Sequence, residues 1–212
     1  MSSSAPYETC VFINCPFDDG WKEHFRAIVF AVLACGFTPR CSWEQDDTGD
    51  IRIEKLLDII KECQYGVHDL SKENARLNMP LELGLFIGCK QYSADEKQHR
   101  KKYLVFEGKS YSLKKSLTDL AGQDIKTHGD DVLKIIQGVR DWLDGKADKT
   151  PNSPILPHAP YLKKQLDAFN NALPLLCKSM RWTPATLTYR DYLLLAVPFI
   201  NAKILAKAKR HK

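Results

Sequence analysis

The stretch Cys10-Val11-Phe12-Ile13-Asn14-Cys15-Pro16-Phe17-Asp18-Asp19-Gly20 decides the fold. Its first five residues are a short apolar run that ends in a polar turn, and residues 21–35 follow with Phe25, Ile28, Val29 and Val32 at helical spacing. Strand, turn and helix in that order make half of a βαβ unit, and the pattern recurs downstream. Gly36 closes the helix, residues 37–43 read as a second strand, and a polar loop over residues 46–50 leads to an amphipathic helix over 51–63. That helix carries Ile53, Leu56, Leu57 and Ile60 on one face. Residues 64–70 read as strand three, 79–92 as a helix, 102–107 as strand four, 124–127 as a short fifth strand and 130–143 as a helix. Strands that alternate with helices in this way imply a mainly parallel sheet, right-handed crossovers and helices on both faces. The expected fold class is α/β, a flavodoxin-like doubly wound parallel sheet of about five strands over residues 1–145.

Beyond Gly145 the texture changes. Pro151, Pro154, Pro157 and Pro160 punctuate residues 146–160, which read as a linker that cannot be helical. Residues 161–212 read as a small basic helical appendage. One helix starts at about Tyr161 and keeps Leu162, Leu166, Phe169 and Leu173 in register; a second is opened by Thr188 with Asp191 three residues on, a start like a capping box. Pro198 is expected to kink or end the second helix, and the apolar run from Tyr192 to Ile200 needs a partner surface, either the sheet domain or another subunit.

With 212 residues, 44% hydrophobic and 27% charged, the chain has the composition of a folded protein with a real core, which excludes disordered, collagen-like and coiled-coil classes. No apolar run reaches the roughly 18 residues that a spanning helix needs, so no membrane partner is expected. The first residues lack the basic and apolar regions of a secretory signal. Seven cysteines, odd in number and without a CxxC pair, point to the reducing cytoplasm, with no disulfide framework and no metal site of the usual zinc spacing. The net charge of +5 hides a split: residues 151–212 hold ten Lys and Arg against Asp167 and Asp191, whereas residues 1–150 hold 21 basic against 24 acidic side chains. A basic tail can serve a protein or nucleic-acid partner, or simply keep a small helical unit in solution. Its aromatics, Trp182, Tyr189 and Tyr192, fit core roles as well as stacking roles, so nucleic acid is the lesser expectation.

In open parallel sheets, ligands bind beyond the carboxyl ends of the strands. Those ends supply Asn14, Cys15, Pro16 and Asp18 after strand one, residues 42–50 after strand two, and His68, Asp69, Leu70 and Ser71 at strand three. The loop that follows runs into Asn78-Met79-Pro80-Leu81-Glu82-Leu83-Gly84. The candidate binding residues are Asn14, Pro16, Asp18, Ser71 and Asn78, and the two carboxylates Asp69 and Glu82 are the candidates for chemistry. Neither GxGxxG after the first strand nor GxxxxGK[ST] is present, which argues against a dinucleotide oxidoreductase or a P-loop NTPase and against a bound cofactor.

Glu82 carries two readings. With Pro80 near the first helical position it lies in the opening turn and complements the helix dipole. Facing the crevice instead, it can attack or stabilise an anomeric carbon, as the carboxylate of retaining glycosyl transfer does against an oxocarbenium-like transition state. Asp18 suits a ribose hydroxyl or an ordinary turn, and Arg52 a phosphate or, by default, a solvated helix face. Cys15 sits near a helix start with no histidine placed to pair with it, while His68 alternates with Val67 as a structural histidine would. Trp43 reads as core before it reads as a stacking surface, and Lys101-Lys102 as a solvated edge.

The run Val67-His68-Asp69-Leu70-Ser71, followed by Arg76-Leu77-Asn78-Met79-Pro80-Leu81-Glu82-Leu83-Gly84, resembles a signature of one superfamily. That superfamily contains the nucleoside 2-deoxyribosyltransferases and the Toll/interleukin-1 receptor (TIR) domains. Its members carry an Asp-Leu-Ser/Thr strand end and then an Asn a few residues before a Glu-Leu-Gly helix. The opening Val11-Phe12-Ile13-Asn14-Cys15-Pro16-Phe17-Asp18 is also similar to the first strand and loop of bacterial TIR-like proteins, and the resemblance spans about residues 9–145. It implies cleavage of an N-glycosidic bond in a nucleoside, nucleotide or NAD, with NAD as substrate rather than cofactor. By the same resemblance Glu82 holds the ribosyl group, Asp69 orients the sugar or assists proton transfer, and Asn78 binds substrate or positions Glu82. Many bacterial TIR-like proteins act in antiphage defence, consuming NAD or making a signalling nucleotide from it. Arg76 stands six residues before Glu82, where the deoxyribosyltransferases usually carry an Asp, which moves the expectation from base exchange to hydrolysis. The alternative is a non-enzymatic nucleotide sensor or TIR-type adaptor that signals by assembly. In either case the C-terminal helices are expected to mediate homo-oligomerisation or docking.

Overall fold

The computed structural model describes residues 5–16, 20, 22–44, 52–71, 77–113, 117–120, 123–146 and 155–205. Asp18, the loop at 46–50, Arg76 and residues 147–154 of the linker lie outside the described residues. Five strands, β1 (Cys10–Asn14), β2 (Thr38–Arg40), β3 (Tyr65–Asp69), β4 (Lys102–Glu107) and β5 (Ile125–Thr127), form one parallel sheet in the order β2-β1-β3-β4-β5. This is the doubly wound, flavodoxin-like order, and it puts the switch of direction between β1 and β3. Both central strands are buried at every position, as a parallel sheet covered on both faces requires. In their register Phe12 lies opposite Gly66 and Asn14 opposite His68.

The faces sort by alternation along the strands. Val11, Ile13, Tyr65, Val67, Leu104 and Phe106 pack under α1 (Lys22–Ala34) and α4 (Val132–Lys146). Cys10 and Phe12 pack under α2 (Arg52–Lys61) and, through Phe86, under α3 (Asn78–Tyr92). Helix α1 ends in a left-handed Gly36 with φ of 82°; Gly36 N–H donates to Leu33 O and Phe37 N–H to Val32 O, a paired closure that a side chain would strain.

Three local expectations are corrected. The second strand is three residues rather than seven: Pro39 cannot donate to a ladder, so it suits only this edge strand, and the next amide, Cys41 N–H, donates to Glu44 Oε1 instead. Lys101 is not a solvated edge but buried, its ammonium donating to Ile60 O at 2.6 Å and to Cys63 O and lying 4.4 Å from the centre of the Phe86 ring. Pro160 is not in a linker but is the second residue of α5 (Ala159–Ser179), where a helix leaves its amides unpaired and tolerates proline.

The C-terminal helices close over α1. Helix α6 (Tyr189–Ile200) opens on the expected Thr188–Asp191 capping box. It runs two residues past Pro198 and then widens into a π turn over Asn201–Leu205, so the proline changes the helix pitch rather than stopping it. The apolar run from Tyr192 to Ile200 finds its surface within the same chain: Tyr192 and Phe199 sit 5.5 and 5.2 Å from the Phe169 ring, and Phe169 sits 6.1 Å from Phe30 of α1. Polar ties reinforce this, with Tyr189 Oη donating to Pro39 O at 2.7 Å and Arg140 donating to Leu156 O and Pro157 O. Among the described residues no helix is long and apolar enough to cross a membrane.

Candidate functional site

The end of β1 fixes the site. Asn14 is buried; its Nδ2 donates to Met79 O at 2.8 Å and lies 3.0 Å from His68 Nδ1. An amide nitrogen only donates, so His68 Nδ1 accepts and the ring proton sits on Nε2. Burial pushes the His68 pKa down to about 3, so the ring is neutral and structural, edge-on to Phe12 and Phe86. The Asn14 amide thereby ties the ends of β1 and β3 to the first turn of α3. Glu82 follows Met79 by three residues on that helix.

Helix α3 begins at Asn78, which makes Pro80 its third residue and Glu82 its fifth. Glu82 is thus outside the opening turn where the helix dipole acts, and the dipole does not account for it. Its half-buried carboxyl lines an open cleft together with Asn14, Cys15, Pro16, Ser42, Trp43, Arg52 and Asn78. Burial pushes the Glu82 pKa up to about 7, opposed only by the charge of Arg52. Trp43 is 40% exposed, not core, and the Arg52 guanidinium stands 5.7 Å from the centre of its ring. An aromatic face and a cation therefore stand together in the cleft, and no second acid is among its described lining residues. Sequence reading placed Trp43 and Arg52 at the right loop ends but favoured bland roles for both, because neither exposure nor partnership is visible in local pattern.

Asp69 and Ser71 are not brought into this cleft. Asp69 is fully buried, and its Oδ1 accepts from Ser71 N at 3.0 Å and from Ser71 Oγ at 2.5 Å. Ser71 Oγ lies 2.6 Å from His128 Nε2, which is also 3.5 Å from Asp69 Oδ1. Because His128 Nδ1 accepts the Asp130 N–H at 3.0 Å, Nε2 carries the proton and donates into this pair. Burial raises the Asp69 pKa, but the hydrogen bonds from His128 and Ser71 outweigh it and hold the carboxyl below its ordinary value. A carboxylate held this way is a poor proton donor, and a serine whose hydroxyl is engaged on both sides is no nucleophile. The link to the cleft is Cys15, whose Sγ reaches Asp69 Oδ2 at 3.6 Å. His128 is the residue that sequence reading missed; it lies directly beyond the carboxyl end of β5, the same kind of position that drew attention to Asn14 and Asp69.

Asn14, Pro16, Asn78 and Glu82 are thus assembled, Asp69 and Ser71 form a separate buried network, and Asp18 lies outside the described residues. No model of a known protein family matches the chain, and no curated protein matches it in sequence.

Proposed function

We propose that the chain is an N-glycosidase that cleaves the base–ribose bond of NAD or a related pyridinium nucleotide, with Glu82 facing the ribosyl cation. The observation that supports this reading most is the Glu82 carboxyl itself, half-buried in the cleft beyond the carboxyl ends of the strands, where burial pushes its pKa up to about 7 against the charge of Arg52. A pyridinium leaves its ribose as a neutral base: the C1′–N bond breaks with its electron pair going to nitrogen, and no proton donor is required. One carboxylate then suffices. Its negative charge stabilises the oxocarbenium, water adds at C1′, and the proton that water loses passes to solvent. A neutral nucleoside would need its base protonated, and Asp69, the second carboxylate of the expected pair, is enclosed elsewhere. Trp43 offers a face for a base and Arg52 a cation for a phosphate. The resemblance to bacterial TIR-like proteins supports a role for such an activity in cytoplasmic antiphage defence, and seven cysteines without a disulfide suit that compartment.

The test is incubation of the full chain with NAD, with nucleoside monophosphates and with neutral nucleosides, following free base. Release from NAD with little from the neutral nucleosides is expected; release from neither overturns the enzymatic reading. A second reading, a nucleotide sensor or TIR-type adaptor, is favoured by the enclosure of Asp69, which leaves the cleft a single carboxylate among its described lining residues. It assigns assembly to α5 and α6, on which Leu175, Leu194 and Val197 are exposed. Thermal stabilisation by NAD without turnover selects it.

A further inference from the structure

We propose that His24, His128 and Asp130 form a binding site for a divalent transition ion, zinc foremost, distinct from the Glu82 cleft. His24 sits in the first turn of α1, His128 directly after β5, and Asp130 in the turn before α4. A ligand atom from each of the three lies within 4.8 Å of the others. His128 Nδ1 is 4.0 Å from Asp130 Oδ1, and the two imidazole centres are 5.4 Å apart. Zinc bonds of about 2.0–2.2 Å put tetrahedral ligands roughly 3.4 Å from one another, so only a small closure is needed.

The surroundings favour ligation. Both histidines are buried, whereas the Asp130 side chain is 73% exposed, so the ion has an entrance and a position for water. The far nitrogen of His128 is held by Ser71 Oγ at 2.6 Å with the Asp69 carboxylate behind it. A histidine backed by a carboxylate is the arrangement that fixes tautomer and ring orientation in zinc sites. It leaves the Nδ1 lone pair directed to the Asp130 side, where at present it accepts the Asp130 N–H at 3.0 Å. Ligation exchanges that bond for a metal bond. Asp130 holds a left-handed φ of 58°, which aspartate tolerates. Two imidazoles and one carboxylate suit zinc or cobalt rather than magnesium or calcium, which prefer oxygen ligands throughout. The ion would clamp the start of α1 to the β5–α4 turn, and none of the three residues lines the cleft.

The full chain, stripped with chelator, is titrated with zinc and with cobalt(II), and affinity, visible absorption and thermal midpoint are recorded. Expected are one ion per chain, a cobalt spectrum without thiolate-to-metal charge transfer, and a rise in midpoint on zinc binding. Asp130→Asn, which keeps the exposed left-handed turn intact, is expected to weaken binding at least about tenfold, and His24→Gln to do the same. Absence of binding at micromolar metal overturns the site. So does a thiolate signature, which places the ion on the cysteines, or affinity unchanged in Asp130→Asn, which removes Asp130 from the ligand set.

Discussion

Glu82 and Asp69 are two carboxylates pushed in opposite directions by their surroundings. The folded Glu82 holds its proton up to about pH 7 against an ordinary value of 4.5, so the unfolded chain gives up that proton first. Stability therefore falls as pH rises through that window, and Glu82→Gln is expected to gain stability relative to the parent over the same range, read from thermal midpoints at a series of pH values. Asp69 has the reverse sign: its carboxylate is favoured by folding, so its contribution is present above its ordinary value of 3.8 and is lost as pH falls below it. Asp69→Asn is expected to cost about 2–3 kcal/mol in denaturant melts near neutral pH, because it weakens charge-assisted bonds in a fully buried network. The spacing from Asn78 to Glu82 was legible because both lie on one helix. The capture of Asp69 was not: Ser71 meets its partner His128 across 57 positions, and no local pattern encodes that meeting.

At the scale of elements, strands and helices follow from apolar runs, spacing and the glycine that closes α1. Their ends depend on partners. Strand β2 stops where Glu44 captures the Cys41 amide, and α3 starts ahead of Pro80 because a first-turn proline lacks only an amide that the helix leaves unpaired. Gly138 in α4 shows packing overriding propensity. Alanine in a helix interior is ordinarily favoured over glycine by about 1 kcal/mol, but a Cβ here would stand 2.6 Å from the Phe106 ring of β4. Gly138→Ala is accordingly expected to destabilise by about 1–3 kcal/mol, measured by urea unfolding, since the helix must lift from the sheet to admit the methyl.

At the scale of the molecule, α1 is the buried middle layer. Every residue from Ala27 to Val32 is inaccessible to solvent, with the sheet on one side and α5 and α6 on the other. A helix apolar on all sides is a helix covered on all sides, and the unbroken apolar run at 27–34 carries that signal beyond the single face at Phe25, Ile28, Val29 and Val32. The C-terminal helices complete the core that α1 begins. Phe169→Ala is expected to cost about 3–5 kcal/mol and to lower a single cooperative unfolding transition of the whole chain rather than a separate one of the C-terminal helices. Four of the ten basic residues of the tail, Lys207, Lys209, Arg210 and Lys212, lie outside the described residues, and the buried faces of α5 and α6 are engaged within the chain. The central claim concerns Glu82, and the most direct measurement is the rate of nicotinamide release from NAD by the full chain and by Glu82→Gln across about pH 5–9. The parent rate is expected to climb through about pH 7 as the carboxylate forms, and the variant rate to fall at least about a hundredfold. Equal rates in the two proteins, or a parent rate that does not respond to pH near 7, would contradict it.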